Sequence, residues 1–285
     1  MNTGQLIYMF TIGALVAAML LEAFAPRRTL ESGLAWRWVN NFSLGLVTWY
    51  LTTVITALFL VWLARRTEIN QYGLFQHLDT HWLVPFIVLL TVSQLINYAL
   101  HIAFHKVSWL WPIHAVHHLD TDVDVSTSYR THPLELLVTL PVVAPLILLL
   151  GIPAEAALAY QLFHAAVNVF SHSNLYLPSW LDSPLRKVIV TPDFHRLHHC
   201  SDRRYTDSNF GTSVPWFDYL FGTATWRPPE QQLTMKLGLE YLRAPGDSRI
   251  DRLLVLPFTW RSKIAHYRST RDRAVKSGMQ AGEMK

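Results

Sequence analysis

Nine of the 14 histidines in this 285-residue chain fall into four short groups. In His101-Ile-Ala-Phe-His105 the spacing of four puts both imidazoles on one helical face. His114-Ala-Val-His117-His118 follows nine residues later, and His195-Arg-Leu-His198-His199 repeats its pattern. His172 stands alone between them. Neutral imidazole is a good ligand for borderline transition metals such as iron, zinc or copper. Nine imidazoles exceed the roughly four to six positions of one such metal, so two metals are implied.

The elements that must hold these groups are apolar. A bilayer core about 30 Å thick needs roughly 20 apolar residues in helix. Leu6–Ala25, Phe42–Ala64 and Trp82–Phe104 fit this requirement. Leu134–Ile152 is almost wholly apolar, and Pro141 and Pro145 are tolerable inside a packed membrane helix. Ala154–Phe170 is weaker; it carries Gln161, His164 and Asn168 and should face protein. Gly151–Pro153 turns the last two segments into a hairpin. The first stretch lacks a basic leader and a convincing cleavage site, so it reads as a retained membrane helix. The expected fold is all-α: a transmembrane bundle of four or five spans with a cytosolic helical cap carrying a dimetal site. The expected parts are membrane helices and a loop over 1–81, a catalytic domain over 82–227 and a cytosolic tail over 228–285. The last 25 residues read as solvated and partly disordered.

Parity adds a constraint. The third span ends at His101 and His105, the fourth crosses away, and the fifth returns near His172. All four histidine groups therefore lie on one membrane face, while His77 and His81 fall opposite. With five spans, 22 of the 24 Lys and Arg residues share the histidine side and only Arg65 and Arg66 lie across from it. The positive-inside rule makes that side cytoplasmic.

Composition agrees. Hydrophobic residues make up 51% of the chain and charged ones only 15%, against roughly 25% charged in ordinary soluble domains. This excludes a disordered chain and a nucleic-acid binder that depends on charge density. The lone Cys200 excludes internal disulfides and a cysteine-held cluster, and reads as a small packing residue.

From Leu95 to Trp226 the sequence resembles the fatty acid hydroxylase/sterol desaturase superfamily of membrane di-iron oxygenases. The resemblance rests on the three histidine groups and on Arg130-Thr-His132-Pro-Leu-Glu135, His172-Ser-Asn174 and Thr191-Pro-Asp-Phe-His195-Arg-Leu-His198-His199. Downstream, Asp207-Ser-Asn-Phe-Gly211 and Trp216-Phe-Asp218-Tyr-Leu-Phe221-Gly222-Thr223 extend it. It implies two irons, held by His101, His105, His114, His117, His118, His172, His195, His198 and His199, with O2 as co-substrate. Zinc can displace iron in a purified or expressed form. It also implies hydroxylation or desaturation of a lipid drawn from the bilayer, such as a sterol or fatty acyl chain. The chain has no flavin, nicotinamide or haem motif, so electrons must come from a ferredoxin- or cytochrome-type donor with its reductase. Gln94 and Ile102 depart from residues the family often carries, acidic and Arg respectively, which bears on the substrate subgroup.

Four further residues are candidates to bind weakly or to orient a ligand. Asn168 occupies a position where some members have histidine. His132 could orient a ligand histidine or pair with Glu135. His164 lies two turns from His172. Asp193 sits just before the third group. Two readings compete with the oxygenase: a membrane zinc metallohydrolase acting on a lipid, and a non-catalytic metal-binding membrane protein.

Overall fold

The computed structural model describes residues 3–30, 33–49 and 57–282. These form helices; among the described residues the only extended pairings are the isolated bridges Pro26–Leu175 and Cys200–Leu237. The first part comprises α1 (Thr3–Phe24), α2 (Leu34–Trp49), α3 (Ala57–Asn70) and α4 (Leu83–Lys106). Then come α5 (Trp111–His118), α6 (Leu134–Leu150), α7 (Ala154–His172), α8 (Ser179–Leu185), α9 (Pro192–His198) and α10 (Arg203–Thr206). The chain closes with α11 (Trp216–Phe221), α12 (Pro229–Thr234) and α13 (Ile250–Gly282).

Among the described residues two helices, α1 and α4, are long and apolar enough to cross a membrane, and α6 is a shorter apolar helix. α6 runs unbroken through Pro141 and Pro145, as expected. The expected span Phe42–Ala64 corresponds to the end of α2 and the start of α3, with residues 50–56 outside those described. The core of the bundle packs α3, α4, α6 and α7 through Leu60, Leu89, Leu90, Ile147, Ala156 and Tyr160. Burying each such aliphatic side chain is worth about 1.5–3 kcal/mol where the alternative is water.

The end of the bundle remote from the histidines is closed by glycine. Gly151 has φ 61° after α6, and a Cβ there would lie 2.4 Å from the Tyr72 carbonyl oxygen. Gln76 Nε2 donates to Gly151 O at 2.8 Å, and Glu68 accepts from the Ala154 N–H at 2.7 Å, capping α7. This junction fixes the α6–α7 hairpin and hence the direction from which α7 delivers His172.

At the other end a cap folds over the helix termini. Arg37 of α2 ion-pairs with Asp120 at 2.7 Å and Asp124 at 2.8 Å. Asn41 donates to Asp120, and fully buried Arg130 donates to Asn41 Oδ1 and Val116 O, each at 2.8 Å. The opposing charges hold the Asp120 carboxyl below its usual range. Of the expected tail, residues 228–282 are described and include α12 and α13. Leu253 and Leu256 of α13 are fully buried against Leu44, Ala115, Val116 and Leu119, and α13 stays helical to Gly282. Cys200 packs among Val123, Leu197, Met235 and Leu237, as expected.

Candidate metal centre

The nine imidazoles predicted from sequence come together as two buried groups. His101, His105, His114, His118 and His198 form one; His117, His172, His195 and His199 form the other. Within each group the candidate ligand atoms all lie within 4.8 Å of one another.

Helix geometry explains the partition. At 3.6 residues per turn, positions i and i+4 lie about 40° apart, while i+3 falls about 60° to the other side. In α5, which carries Pro112 in its first turn, His114 and His118 therefore turn to the five-histidine group and His117 to the other. In α9, which starts on Pro192, the assignment is exchanged: His195 and His199 join the four-histidine group and His198 the five. Each H-x-x-H-H motif thus serves both groups.

Six of the nine have their second nitrogen anchored. His101 Nδ1 donates to Phe210 O at 2.7 Å, His198 to Ser208 O at 2.7 Å, His117 to Arg130 O at 3.2 Å and His172 to Asn168 O at 2.7 Å. His105 and His114 donate to the carboxylates of Asp207 at 3.3 Å and Glu135 at 3.2 Å. Carbonyl and carboxylate oxygens only accept, so Nδ1 carries the proton in these six rings and Nε2 keeps its lone pair. The Asp207–Phe210 turn supplies three of these acceptors. Asn209 holds it at φ 53° by donating to Phe194 O. Asp218 clamps it by accepting from Phe210 N and Gly211 N, both at 2.7 Å.

The inward nitrogens fit metal. His101 Nε2 lies 3.0 Å from His114 Nε2, and His117 Nε2 lies 3.1 Å from His172 Nε2. Two lone-pair nitrogens cannot hydrogen-bond to each other; a cation between them turns repulsion into attraction. Metal–nitrogen bonds of about 2.0–2.1 Å put ligands at right angles about 2.9 Å apart, matching these contacts and the 2.9 Å between His195 and His172. Nε2 of His105 and of His198 are buried without any hydrogen-bond partner, as nitrogens awaiting a metal would be. Burial pushes His198 down to about 3 and holds His117, His118, His195 and His199 well below the ordinary imidazole range. All five are neutral at pH 7, the form that ligates.

The four further candidates have separate fates. Asn168 touches His172 through its backbone carbonyl. His132 donates to Leu254 O at 3.1 Å and accepts from Leu134 N, tying α13 to the start of α6 without touching the cluster. His164 shares a hydrogen bond with Ser213 Oγ at 2.7 Å. Asp193 pairs with Arg27 at 3.0 Å and with Arg196, whose guanidinium also donates to Ser173 O. Gln94 accepts from Thr212 Oγ1 and Ser213 N and donates to Tyr160, a purely uncharged set of partners. His77, His81 and His266 are exposed and remote from both groups. Glu135, named from sequence only as one option for His132, accepts from His114, and the signal for this was its place in the first turn of α6 beside the histidine groups.

A cavity of about 360 Å³ opens beside the centre. Its floor includes His101, His114, His117, His172 and His195, so both groups face it, and Glu135 stands in its wall. Toward the bundle it is bounded by side chains such as Leu100, Phe104, Leu136, Leu140 and Val143.

Residues 86–223 match the fatty acid hydroxylase family. Among curated proteins, the chain is similar to human (Homo sapiens) alkylglycerol monooxygenase, 28% identical over 44% of this chain and 27% of the relative. It is 27% identical to the ornithine lipid hydroxylase OlsE of Rhizobium tropici over 50% of this chain and 43% of the relative. It is also 30% identical to the very-long-chain aldehyde decarbonylase GL1-5 of Oryza sativa subsp. indica, over 46% of this chain and 22% of the relative. The chain therefore spans less than half the length of each of these relatives. No solved structure matches.

Proposed function

The chain belongs to the fatty acid hydroxylase/sterol desaturase superfamily, and from that premise we propose that it is a membrane-embedded di-iron oxygenase. It uses O2 and external electrons to hydroxylate or desaturate a lipid. The observation that carries this reading is the pair of buried imidazole groups with lone-pair nitrogens 3.0–3.1 Å apart. Five imidazoles hold one iron and four the other. The bundle crosses the bilayer five times, as α1, α2 with α3, α4, α6 and α7, and presents the centre at the cytoplasmic face.

When bound, the two irons supply O2 activation and oxidation of an unactivated C–H bond. The protein contributes placement. The carbonyls of Phe210, Ser208, Arg130 and Asn168 fix ring orientation, so the imidazoles need no reorganisation on metal binding. The cavity lets a lipid enter between helices and lay its chain over the imidazole floor, while the cap keeps bulk water out. The electron donor is a separate ferredoxin- or cytochrome-type protein, and the basic face of the cap suits an acidic one. The names of the relatives point to ether lipids and amino-acid lipids as substrates to try first.

Glu135 in the cavity wall is the carboxylate that a zinc hydrolase would use as general base. Its bond to His114 Nδ1 assigns it instead to holding a ligand. Lipid mass spectrometry of cells expressing the wild-type chain or His198→Ala separates the readings. A product heavier by one oxygen or lighter by two hydrogens, dependent on O2 and absent in the variant, is expected. Lipid cleavage that persists without O2 and reductant would overturn the proposal.

A further inference from the structure

The wall of the cavity formed by α7 is not a hydrocarbon surface. Gln161, His164, Asn168 and His172 recur at intervals of three and four, so they stack on one face, and all four line the cavity. By helix rise, His164 lies about 12 Å and Gln161 about 16 Å from His172 along the axis. Polar side chains at that depth in an apolar bundle are costly without a use.

Most neighbouring polar groups satisfy one another. Gln94 binds Tyr160, Thr212 and Ser213, and Ser213 Oγ in turn binds His164 Nδ1. Two functions are left over. His164 Nε2 and the Gln161 amide make no hydrogen bond among the described residues. Ser213 fixes the His164 ring so that its free nitrogen is the one available to the cavity.

The charge of the wall narrows what these groups can bind. Among the described residues no Lys or Arg lines the cavity, and its one acidic residue, Glu135, is bound to His114. A buried carboxylate or phosphate would lack a counter-charge and would face the Glu135 carboxylate. A hydroxyl, ether, ester or amide would be satisfied by one imidazole nitrogen and one amide.

We propose that Gln161 and His164 form a subsite for an uncharged hydrogen-bonding function of the lipid, held inside the cavity about 12 Å or more from His172 along α7. The substrate is then a neutral lipid, or a lipid bound through a neutral linkage, and not a free fatty acid bound through its carboxylate. The subsite rests on the reading of this cavity as the lipid pocket. It sets which carbon reaches the metal end by fixing one point of the chain at a known depth.

The test is binding without turnover. The full-length, metal-loaded protein in lipid nanodiscs is held under nitrogen without reductant and titrated with radiolabelled hexadecane, 1-hexadecanol, hexadecyl methyl ether or palmitate. One satisfied neutral hydrogen bond corresponds to about threefold to tenfold in affinity. The alcohol and the ether should therefore bind wild type about that much more tightly than hexadecane, and palmitate no more tightly than hexadecane. Gln161→Leu with His164→Leu should erase the preference while keeping hexadecane binding, and His164→Gln should retain part of it. Palmitate binding best in wild type, or a preference that survives the double Leu variant, would overturn the proposal. The wild-type order is decisive even if that variant fails to fold. Because no oxidation is needed, a chain that binds in this order but never oxidises lipid would sink the oxygenase reading and leave the subsite standing.

Discussion

Removing the Glu135 carboxylate should weaken one metal site and spare the other. Glu135 Oε1 accepts from His114 Nδ1 at 3.2 Å, and both side chains are largely buried. The bond keeps the His114 ring turned so that Nε2 points at the Nε2 atoms of His101 and His118, 3.0 and 3.2 Å away. A hydrogen bond to a charged group contributes about 1.5–3 kcal/mol. Loss of a carboxylate behind a ligating histidine typically costs about 10–100-fold in metal affinity, or about 1.4–2.8 kcal/mol, so the two scales agree. Glu135→Ala should therefore lower affinity at the five-histidine site by that factor and leave the four-histidine site unchanged, since none of its rings touches Glu135. Glu135→Gln keeps an acceptor oxygen without the charge and should fall between. Competition with a chelator, followed by anaerobic metal counting, reads both sites. Equal loss at both sites, or no loss in Glu135→Ala, would refute the reasoning. Full metal content with abolished turnover in Glu135→Gln would instead mark a general base.

Asp218 never contacts a histidine, yet it holds the turn that orients three of them. Asp218→Ala orphans two buried N–H groups at about 1–3 kcal/mol each; the protein should lose roughly 2–6 kcal/mol of unfolding stability and its five-histidine metal first, and an unshifted denaturation midpoint would contradict this. Acid should destabilise the metal-free protein. Burial holds His117, His118, His195 and His199 well below the ordinary value of 6.5 and His198 at about 3, so below that ordinary value the unfolded chain binds more protons than the folded one. Stability then falls as pH drops from about 6.5 toward about 3, by up to about 1.4 kcal/mol per pH unit for each such ring. A flat denaturant midpoint across that window would count against neutral, buried rings.

The site was legible because its signal is local. Spacings of three and four on a helix bring rings together before any tertiary fold is known. The partition into five and four was not legible. Whether His117 or His114 sides with His172 depends on how α5 and α9 face each other, and no spacing encodes that. Asp193 illustrates a second limit. Adjacency to His195 suggested contact with a ligand, but Arg27, over 160 residues away in sequence, competes for its carboxylate. The role of 235–256 was hidden for a similar reason: its apolar residues, Leu253 and Leu256 among them, are buried only because α2 and α5 present a matching surface. Gln94 shows a departure from the family pattern becoming intelligible, since its amide both donates and accepts where a carboxylate could only accept.

The central claim is two metals in two separable imidazole groups. The most direct measurement is metal stoichiometry per chain, by mass spectrometry on protein purified and loaded with Fe(II) without oxygen, for wild type, His198→Ala and His117→Ala. The account predicts two irons in wild type, with His198→Ala depleted only at the five-histidine site and His117→Ala only at the four-histidine site. A single metal in wild type, or full occupancy in both variants, would contradict it.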